Sequence, residues 1–284
     1  MYCYEIGGIG FGFDIDKNLT EYSPYDVFRI SEEEYLSLSE RHHYTFLPEI
    51  KPHGTLVRSE SSRDIFVDGD EVFHVNKRFD EKNYECIFRY VRGVPGGSFS
   101  FTNGGIDCLK VTAELFRSCN FVSALLDFDA MILHSSFVIC DGQAILFTAP
   151  SGGGKSTQAR LWEQYKGAQI INGDRTVIKR CADGWYAFSL PLCGSSGICL
   201  KRSAKLALTA VVKKSADDRV LEMPNAEKLT EIFPQITIEN YKPQEFAHAL
   251  DLEDVFIREC NIVRLDCTAT DKAVTALEKH IKAL

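Results

Sequence analysis

The sequence Ala149-Pro150-Ser151-Gly152-Gly153-Gly154-Lys155-Ser156-Thr157 fits the pattern of a phosphate-binding loop, with alanine in its first position. Its glycines allow consecutive backbone N–H groups to converge on phosphate oxygens. Lys155 adds a positive charge for the terminal phosphates, and the Ser156 hydroxyl is a ligand for Mg²⁺. The loop therefore predicts a nucleoside triphosphate bound by Ser151, Gly152, Gly153, Gly154, Lys155, Ser156 and Thr157.

The segments on either side of this loop are those that a phosphate-binding loop requires. Residues 143–149 form an apolar run typical of a strand, and residues 156–166 carry an apolar face with helical spacing. The alternative interpretation, a glycine-serine loop with a chance lysine, does not explain a strand and a helix in this order. We therefore expect a strand, a phosphate loop and a helix in succession.

A tight hairpin is predicted immediately before the loop. Asp141-Gly142, a dipeptide typical of two-residue type I′ turns, joins residues 134–140 to the loop strand. The two strands are then antiparallel, whereas neighbouring strands in parallel-sheet NTPases need long crossover connections. This register pairs Cys140 with Gln143, Val138 with Ile145 and Ser136 with Phe147. It places His134 opposite Ala149 and beside a γ-phosphate; a histidine that merely ends a strand is the alternative.

Asp174 is the next candidate for chemistry. The short apolar strand of residues 168–174 ends in this carboxylate. At a strand end, a carboxylate can hold Mg²⁺ through water or accept the proton of an attacking hydroxyl. We therefore expect Asp174 to be a site residue, either as a partner of Ser156 at the metal or as the base.

The loop of residues 192–197 is expected near Asp174. A second hairpin is predicted over residues 176–190, with its turn at residues 182–184, and counting from that turn brings Leu192 or Cys193 towards Asp174. The glycines of the loop suit a flexible rim for an acceptor substrate. A plain surface loop is the alternative interpretation.

The whole chain of 284 residues is predicted to divide into a β-rich N-terminal region, residues 1–105, and a P-loop domain, residues 106–284. In the first region a hairpin is predicted to turn near Asp68-Gly69. The breaker-rich residues 94–105 mark the boundary, with a hairpin connection as the alternative. The second region alternates a helix at 107–120, strands at 206–212 and 261–267, and helices at 225–233, 243–256 and 271–284. The predicted fold class is α/β, in the α+β sense, with a mixed sheet.

Composition and charge exclude several classes of function. A net charge of −8, a pI near 5.5 and the lack of a Lys/Arg cluster disfavour nucleic-acid binding. No apolar run reaches about 18 residues, so no membrane span is expected. The ten cysteines are scattered and follow no secretion signal, which predicts reduced thiols and a cytoplasmic location. The pairs Cys193/Cys199 and Cys260/Cys267 lack companion zinc ligands, so buried structural cysteines are predicted.

Three features together resemble the HPr serine kinase/phosphorylase family. They are the histidine before the hairpin, in Leu133-His134-Ser135-Ser136, the loop in residues 147–157, and the aspartate that closes the next strand. The resemblance covers residues 130–200 well. Over most of the chain it is looser, and there the sequence is similar to HPr-kinase-like proteins of anaerobic Gram-positive bacteria. It implies the P-loop core shared with phosphoenolpyruvate carboxykinase, preceded by a β-rich region.

The resemblance also implies ATP and Mg²⁺ as cofactors. It places Lys155 and the loop amides on the phosphates, Ser156 on the metal, Asp174 as base or metal partner, and His134 as a phosphate neighbour. Hexameric relatives suggest a homo-oligomer by analogy alone, and the sequence itself leaves the oligomeric state open.

This chain departs from the family in two places. The family usually has paired aspartates where this chain has Asn172-Gly173-Asp174, and close relatives carry Trp-Ser-Gly-Lys where it has Leu192-Cys193-Gly194-Ser195. One carboxylate and one lysine are therefore missing, and base and metal roles fall on Asp174 alone. The helix with the docking signature for the HPr protein is not recognisable either.

The leading hypothesis is thus an ATP-dependent kinase that phosphorylates a serine hydroxyl on a peptide or small protein. The missing aspartate motivates an alternative, a catalytically weak nucleotide-binding regulatory or accessory protein. A small-molecule kinase is a third interpretation, because no motif defines the acceptor pocket.

Overall fold

The computed structural model describes residues 1–16, 23–77, 85–101, 112–239 and 243–284. It divides into two compact units, Met1–Phe128 and Asp129–Leu284. The boundary expected after residue 105 lies outside the described residues. Each unit has its own mixed sheet, so the architecture is mixed α/β.

The first unit is dominated by strands, as its aromatic and β-branched sequence indicates. Its elements are β1 (Tyr2–Ile6), β2 (Ile9–Asp14), α1 (Ser23–Asp26), β3 (Arg29–Ile30), α2 (Glu32–Ser37), β4 (Glu40–Phe46), β5 (Thr55–Ser59), β6 (Arg63–Asp68), β7 (Glu71–Lys77), β8 (Glu85–Val91), β9 (Gly97–Phe101), α3 (Thr112–Ser118) and α4 (Phe121–Leu126). The strands form one sheet in the order β3-β1-β2-β4-β9-β8-β7-β6-β5.

Aromatic rings fill the interior of this unit. Phe13 of β2 and Tyr44 of β4 are fully buried and stack with ring centroids 4.7 Å apart. In β2, phenylalanines alternate with glycines. A Cβ atom on Gly12 would lie 2.7 Å from Cζ of Tyr35. The glycine therefore lets the Tyr35 ring of α2 lie directly on the sheet.

Both elements predicted in this unit are present where the structure describes their residues. The hairpin expected near Asp68-Gly69 is present, with Asp68 paired to Glu71, so its turn residues are Gly69-Asp70. Of the helix expected at residues 107–120, residues 112–118 form α3. Residues 107–111 lie outside the described residues.

The second unit alternates strands and helices, and it contains every predicted site residue. Its elements are β10 (Ala130–Leu133), β11 (Ser135–Cys140), β12 (Gln143–Thr148), α5 (Lys155–Lys166), β13 (Gln169–Asn172), β14 (Thr176–Cys181), β15 (Gly184–Phe188), β16 (Ser203–Lys214), β17 (Arg219–Glu222), α6 (Asn225–Ile232), β18 (Ile236–Thr237), α7 (Pro243–Glu259), β19 (Ile262–Cys267) and α8 (Asp271–Ile281). The elements expected between residues 206 and 284 are present, with ends shifted by a few residues.

The hairpin before the loop is confirmed in its register. β11 and β12 are antiparallel, with Cys140 opposite Gln143, Val138 opposite Ile145 and Ser136 opposite Phe147. The turn residues Asp141 and Gly142 have φ of 50° and 78°. Positive φ at both positions is the conformation of a type I′ turn, which matches the twist of the strands.

The central strand of this unit is β16. The main path of the sheet runs β13-β11-β12-β16-β15-β14-β10-β18, and β19 pairs with β16 and β17. β16 is parallel to β12 and β19 but antiparallel to β15, so the sheet is mixed.

The helices α5 and α8 pack on one side of this sheet. Trp162 of α5 and Leu277 of α8 join Phe147, Ala210 and Leu265 of the strands in one buried cluster. Burial of each large apolar side chain contributes about 1.5–3 kcal/mol, so this cluster fixes the start of α5 relative to β12. Within the described part of the chain, no helix is both long and apolar enough to cross a bilayer.

Candidate active site

The loop between β12 and α5 has a backbone that only glycines accommodate. Gly152 and Gly154 have φ of 74° and 108°, and Gly154 is the residue before the first turn of α5. Gly153 donates its N–H to the carbonyl oxygen of Pro150 at 2.9 Å. A Cβ atom on Gly153 would lie 2.6 Å from Cβ of Ala149. The three glycines therefore allow the tight reversal that leads into the N-terminus of α5.

Lys155 is the first residue of α5, and its side chain turns back over the loop. Its Nζ donates to the carbonyl oxygens of Ala149 at 2.8 Å and Pro150 at 3.4 Å. Burial lowers the pKa of Lys155, while the negative charge of Asp174 opposes that effect. An ammonium group held at this place, at the positive end of a helix, is positioned for an anionic ligand.

Asp174 and His134 form a hydrogen-bonded pair. The Nε2 atom of His134 lies 3.2 Å from Oδ1 of Asp174, and Nε of Arg175 lies 3.4 Å from its Oδ2. The hydrogen bond from His134 and the charge of Arg175 lower the pKa of Asp174, against the opposing effect of burial. Asp174 is therefore a carboxylate at neutral pH.

The side chain of Asn172 fixes the backbone that carries Asp174. Its Oδ1 accepts the N–H groups of Asp174 at 3.0 Å and Arg175 at 3.1 Å. Its Nδ2 donates to Oγ of Ser189 and to the carbonyl oxygens of Leu190 and Leu192, at 3.2, 3.2 and 3.3 Å. Asn172 is fully buried. These contacts set where β13 ends and where the loop after β15 begins.

Lys155, His134 and Asp174 line one pocket of about 320 Å³. Six of the predicted site residues line it: His134, Ser151, Gly152, Lys155, Ser156 and Asp174. Gly153, Gly154 and Thr157 belong to the loop and the start of α5 but do not line the pocket. In the loop motif, such residues bind phosphate through their backbone N–H groups.

Further pocket residues received no role from the sequence motifs, although Ser136 lies within the stretch Leu133-His134-Ser135-Ser136. They include Ser136, Arg160, Ser195 and Ser196. Spacing could have found two of them: Ser136 is two residues from His134 along the strand direction, and Arg160 is four residues from Ser156 on α5. Ser195 and Ser196 belong to the loop expected near Asp174, so that loop does border the pocket.

The contact between this loop and Asp174 is very close. A Cβ atom on Gly194 would lie 2.6 Å from Cγ of Asp174. The sequence predicted that Leu192 or Cys193 would lie near Asp174. In the structure the next residue, Gly194, makes this contact. A Cβ atom on Gly173 would lie 2.4 Å from both Cβ and Oγ of Ser196. The space of a side chain at position 173 is therefore filled by Ser196, where the resembling family usually has an aspartate.

The residues present fit a magnesium–nucleotide complex. Among the described residues, no group of three His, Cys, Asp or Glu side chains could hold a metal by itself. The Ser156 hydroxyl and the Asp174 carboxylate nevertheless line one pocket with Lys155. Mg²⁺ is usually held by one or two protein oxygens together with substrate phosphates and water.

Comparisons with known proteins give little further information. No family model matches the chain, and no curated protein matches it. Among solved structures, it is similar to the HPr(Ser) kinase/phosphatase from Coxiella burnetii, with 13% identity and a TM-score of 0.30. That match covers 54% of this chain and 97% of the other chain. This TM-score is too low to establish a shared fold.

Proposed function

We propose that this protein is an ATP- and Mg²⁺-dependent phosphotransferase that phosphorylates a serine hydroxyl on a peptide or small protein. The observation that carries the proposal is the pocket itself: Lys155 and Ser156 of the loop line it together with the carboxylate of Asp174. Phosphoryl transfer needs little covalent chemistry from the protein and depends on positioning and charge stabilisation.

Each residue has a role in this mechanism. Lys155 and the loop N–H groups bind the terminal phosphates and offset the charge that spreads over them in the transition state. Ser156 and Asp174 would hold Mg²⁺, which as a Lewis acid neutralises phosphate charge. Asp174 accepts the proton of the attacking hydroxyl, because its lowered pKa keeps it ionised. His134 orients that carboxylate through its hydrogen bond.

The loop that carries Ser195 and Ser196 is the proposed rim for the acceptor. Both serines are exposed and line the pocket, and they lie between Gly194 and Gly197, which have φ of 53° and 67°. Left-handed glycines at both ends give such a segment freedom to adjust to a bound hydroxyl.

A second candidate function is nucleotide binding without turnover, as in a regulatory or accessory protein. The observation that favours it is the contact between Gly173 and Ser196, which leaves no space for a second aspartate. In that case Lys155 and the loop bind the nucleotide, and Asp174 serves only the metal.

The first test is the melting temperature of the protein with and without Mg²⁺-ATP. At about a hundred times its dissociation constant, a ligand adds roughly 2.7 kcal/mol of stability, which raises the melting temperature by several degrees. We expect that rise in the wild type and in the control Lys166→Met, at the other end of α5. We expect it to be lost in Lys155→Met, and an equal rise in all three proteins would refute the site.

Asp174→Asn separates the two candidate functions. A kinase is expected to keep most of its nucleotide-dependent rise in melting temperature but to lose transfer of labelled phosphate to serine peptides by about two orders of magnitude or more. A binding protein shows no transfer in either form. Undiminished transfer in Asp174→Asn would show that Asp174 is not the base.

A further inference from the structure

The loop between β15 and β16 carries two cysteines whose thiols contact each other. Cys193 and Cys199 are only 2% and 3% exposed. The two thiol groups are within hydrogen-bonding distance of each other. Asn172 independently ties down both ends of the loop: its Nδ2 donates to the carbonyl oxygen of Leu192, and its backbone forms a β-bridge with Cys199. Two separate sets of contacts thus hold the cysteines side by side.

The segment between these cysteines is the proposed acceptor rim. Ser196 folds it into a compact turn, since its Oγ donates to the carbonyl oxygen of Cys193 at 2.6 Å and accepts the N–H of Ile198 at 3.3 Å. Gly194 lies against the Asp174 carboxylate. A covalent link between the cysteines would therefore act directly on the wall of the pocket.

We propose that Cys193 and Cys199 are a dithiol site that a low-molecular-weight disulfide converts reversibly into a protein disulfide, closing residues 194–198 into a ring. One cysteine thiolate attacks the small disulfide, whose S–S bond breaks, and one small thiol leaves with a proton. The other cysteine then attacks the mixed disulfide and releases the second small thiol. The two protein thiols lose two electrons in total, and the small disulfide gains them.

Burial decides when the two thiols can react. Burial, followed by the influence of the neighbouring Cys193 thiol, raises the pKa of Cys199. Because the thiolate is the attacking species, attack on the small disulfide is slow while the pair stays enclosed. Since both sulfurs are buried, that attack follows an outward movement of the exposed residues 194–197 about Gly194 and Gly197.

The dithiol site does not depend on the proposed phosphotransfer, so each proposal is tested by its own experiment. Trypsin cleaves after Arg180 and Lys201, which leaves residues 181–201 as one peptide with Cys181, Cys193 and Cys199. Cys181 is partly exposed and ends strand β14, outside the loop that carries the other two, so it serves as the internal control.

The experiment treats the folded, full-length protein with oxidised glutathione, alkylates the remaining thiols and analyses this peptide by mass spectrometry. We expect a peptide two hydrogens lighter, with Cys193 joined to Cys199 and Cys181 not included in the link. Dithiothreitol should restore both thiols. The variant Cys181→Ser should give the same link, and melting curves of the reduced and oxidised proteins check that both are folded.

Single substitutions test the two-step exchange. Cys199→Ser is expected to accumulate a glutathione adduct on Cys193, and Cys193→Ser one on Cys199, because in each variant the resolving thiol is absent. The alanine variants at both positions repeat the test if a buried serine disturbs the loop. The proposal is overturned if both thiols of the folded wild type stay alkylatable at oxidant levels that modify Cys181. It is equally overturned if either one pairs with a different cysteine.

Discussion

At the scale of single residues, Gly173 and Ser196 compete for one space. A Cβ atom on Gly173 would lie 2.4 Å from the Cβ and Oγ atoms of Ser196, a distance that side chains cannot adopt. The space that a side chain at position 173 would need is therefore occupied by Ser196. Any larger residue at position 173 requires a smaller one at position 196.

We predict that Gly173→Ala destabilises the protein by about 1–3 kcal/mol, as is typical of overpacking in a close-fitting site. The double variant Gly173→Ala/Ser196→Gly should recover most of that loss, because glycine removes both clashing atoms. Urea unfolding of the two variants and of Ser196→Gly alone gives the coupling between the positions. Additive effects of the two substitutions would contradict the contact.

The pair His134 and Asp174 gives a prediction about pH. Because the folded-state pKa of Asp174 is lowered, first by the hydrogen bond from His134, the pair stabilises the fold above the ordinary Asp pKa of about 3.9. That contribution is lost as the pH falls through the lowered folded-state value. In His134→Phe we expect the Asp174 carboxyl to titrate at a higher pH, measured by carbon NMR of labelled aspartate.

The matched control is His248→Phe, which removes an exposed histidine near Asp129 and leaves the pocket untouched. It should not change the titration of Asp174. If His134→Phe also leaves that titration unchanged, the hydrogen bond does not set the charge state of Asp174.

At the scale of elements, helix α7 carries an unusual buried carboxyl group. Glu253 is fully buried on the same helix face as Leu252 and Phe256, and neither of its carboxyl oxygens has a hydrogen-bond partner among the described residues. Burial raises the pKa of Glu253 to about 7. The folded protein therefore holds a proton that the unfolded chain releases.

Below about pH 4.5 Glu253 is protonated in the folded and the unfolded state, so its burial does not lower the free energy of unfolding. From there to about pH 7 its burial lowers that free energy by an increasing amount. The loss reaches about 3 kcal/mol, from the difference between the two pKa values. We predict that Glu253→Gln flattens the pH dependence of the free energy of unfolding between pH 5 and pH 8. The control Asp251→Asn, at an exposed position of α7, should keep the wild-type slope, and parallel curves for all three proteins would contradict the prediction.

The elements also show which features of the fold sequence patterns can predict. The Asp141-Gly142 turn, the β11–β12 register and the helices after residue 206 depend on neighbours in the chain, and the sequence was sufficient to predict them. The hydrogen bond from His134 to Asp174 and the contact of Gly173 with Ser196 join distant positions, so no local pattern contains them. No sequence pattern singles out Glu253, because periodicity does not show what covers a helix.

At the scale of the whole molecule, every residue that lines the pocket belongs to the unit Asp129–Leu284. Its sheet, including the central strand β16, is complete within that unit. We predict that a fragment of residues 129–284 folds and binds Mg²⁺-ATP with an affinity within about tenfold of the full chain. Calorimetric titration of both proteins measures this, with the Lys155→Met fragment as the control.

A folded fragment with no affinity for nucleotide would show that the unit Met1–Phe128 contributes to binding. Composition predicts a β-rich first region and an α/β second region. The boundary predicted after residue 105 lies outside the described residues, and it depends on breaker residues that also occur inside hairpins.

The hydrogen bonds around Asn172 also govern how the protein ages chemically. When glycine follows asparagine, its unhindered backbone nitrogen can attack the side-chain amide, expel ammonia and leave a cyclic imide that opens to aspartate or isoaspartate. Here the amide nitrogen of Asn172 is held by three acceptors, and the N–H of Gly173 points to the carbonyl oxygen of Ile198 at 3.4 Å. Deamidation of Asn172 therefore requires this strand end to open. The rate of deamidation in a stored sample reports how often that opening occurs.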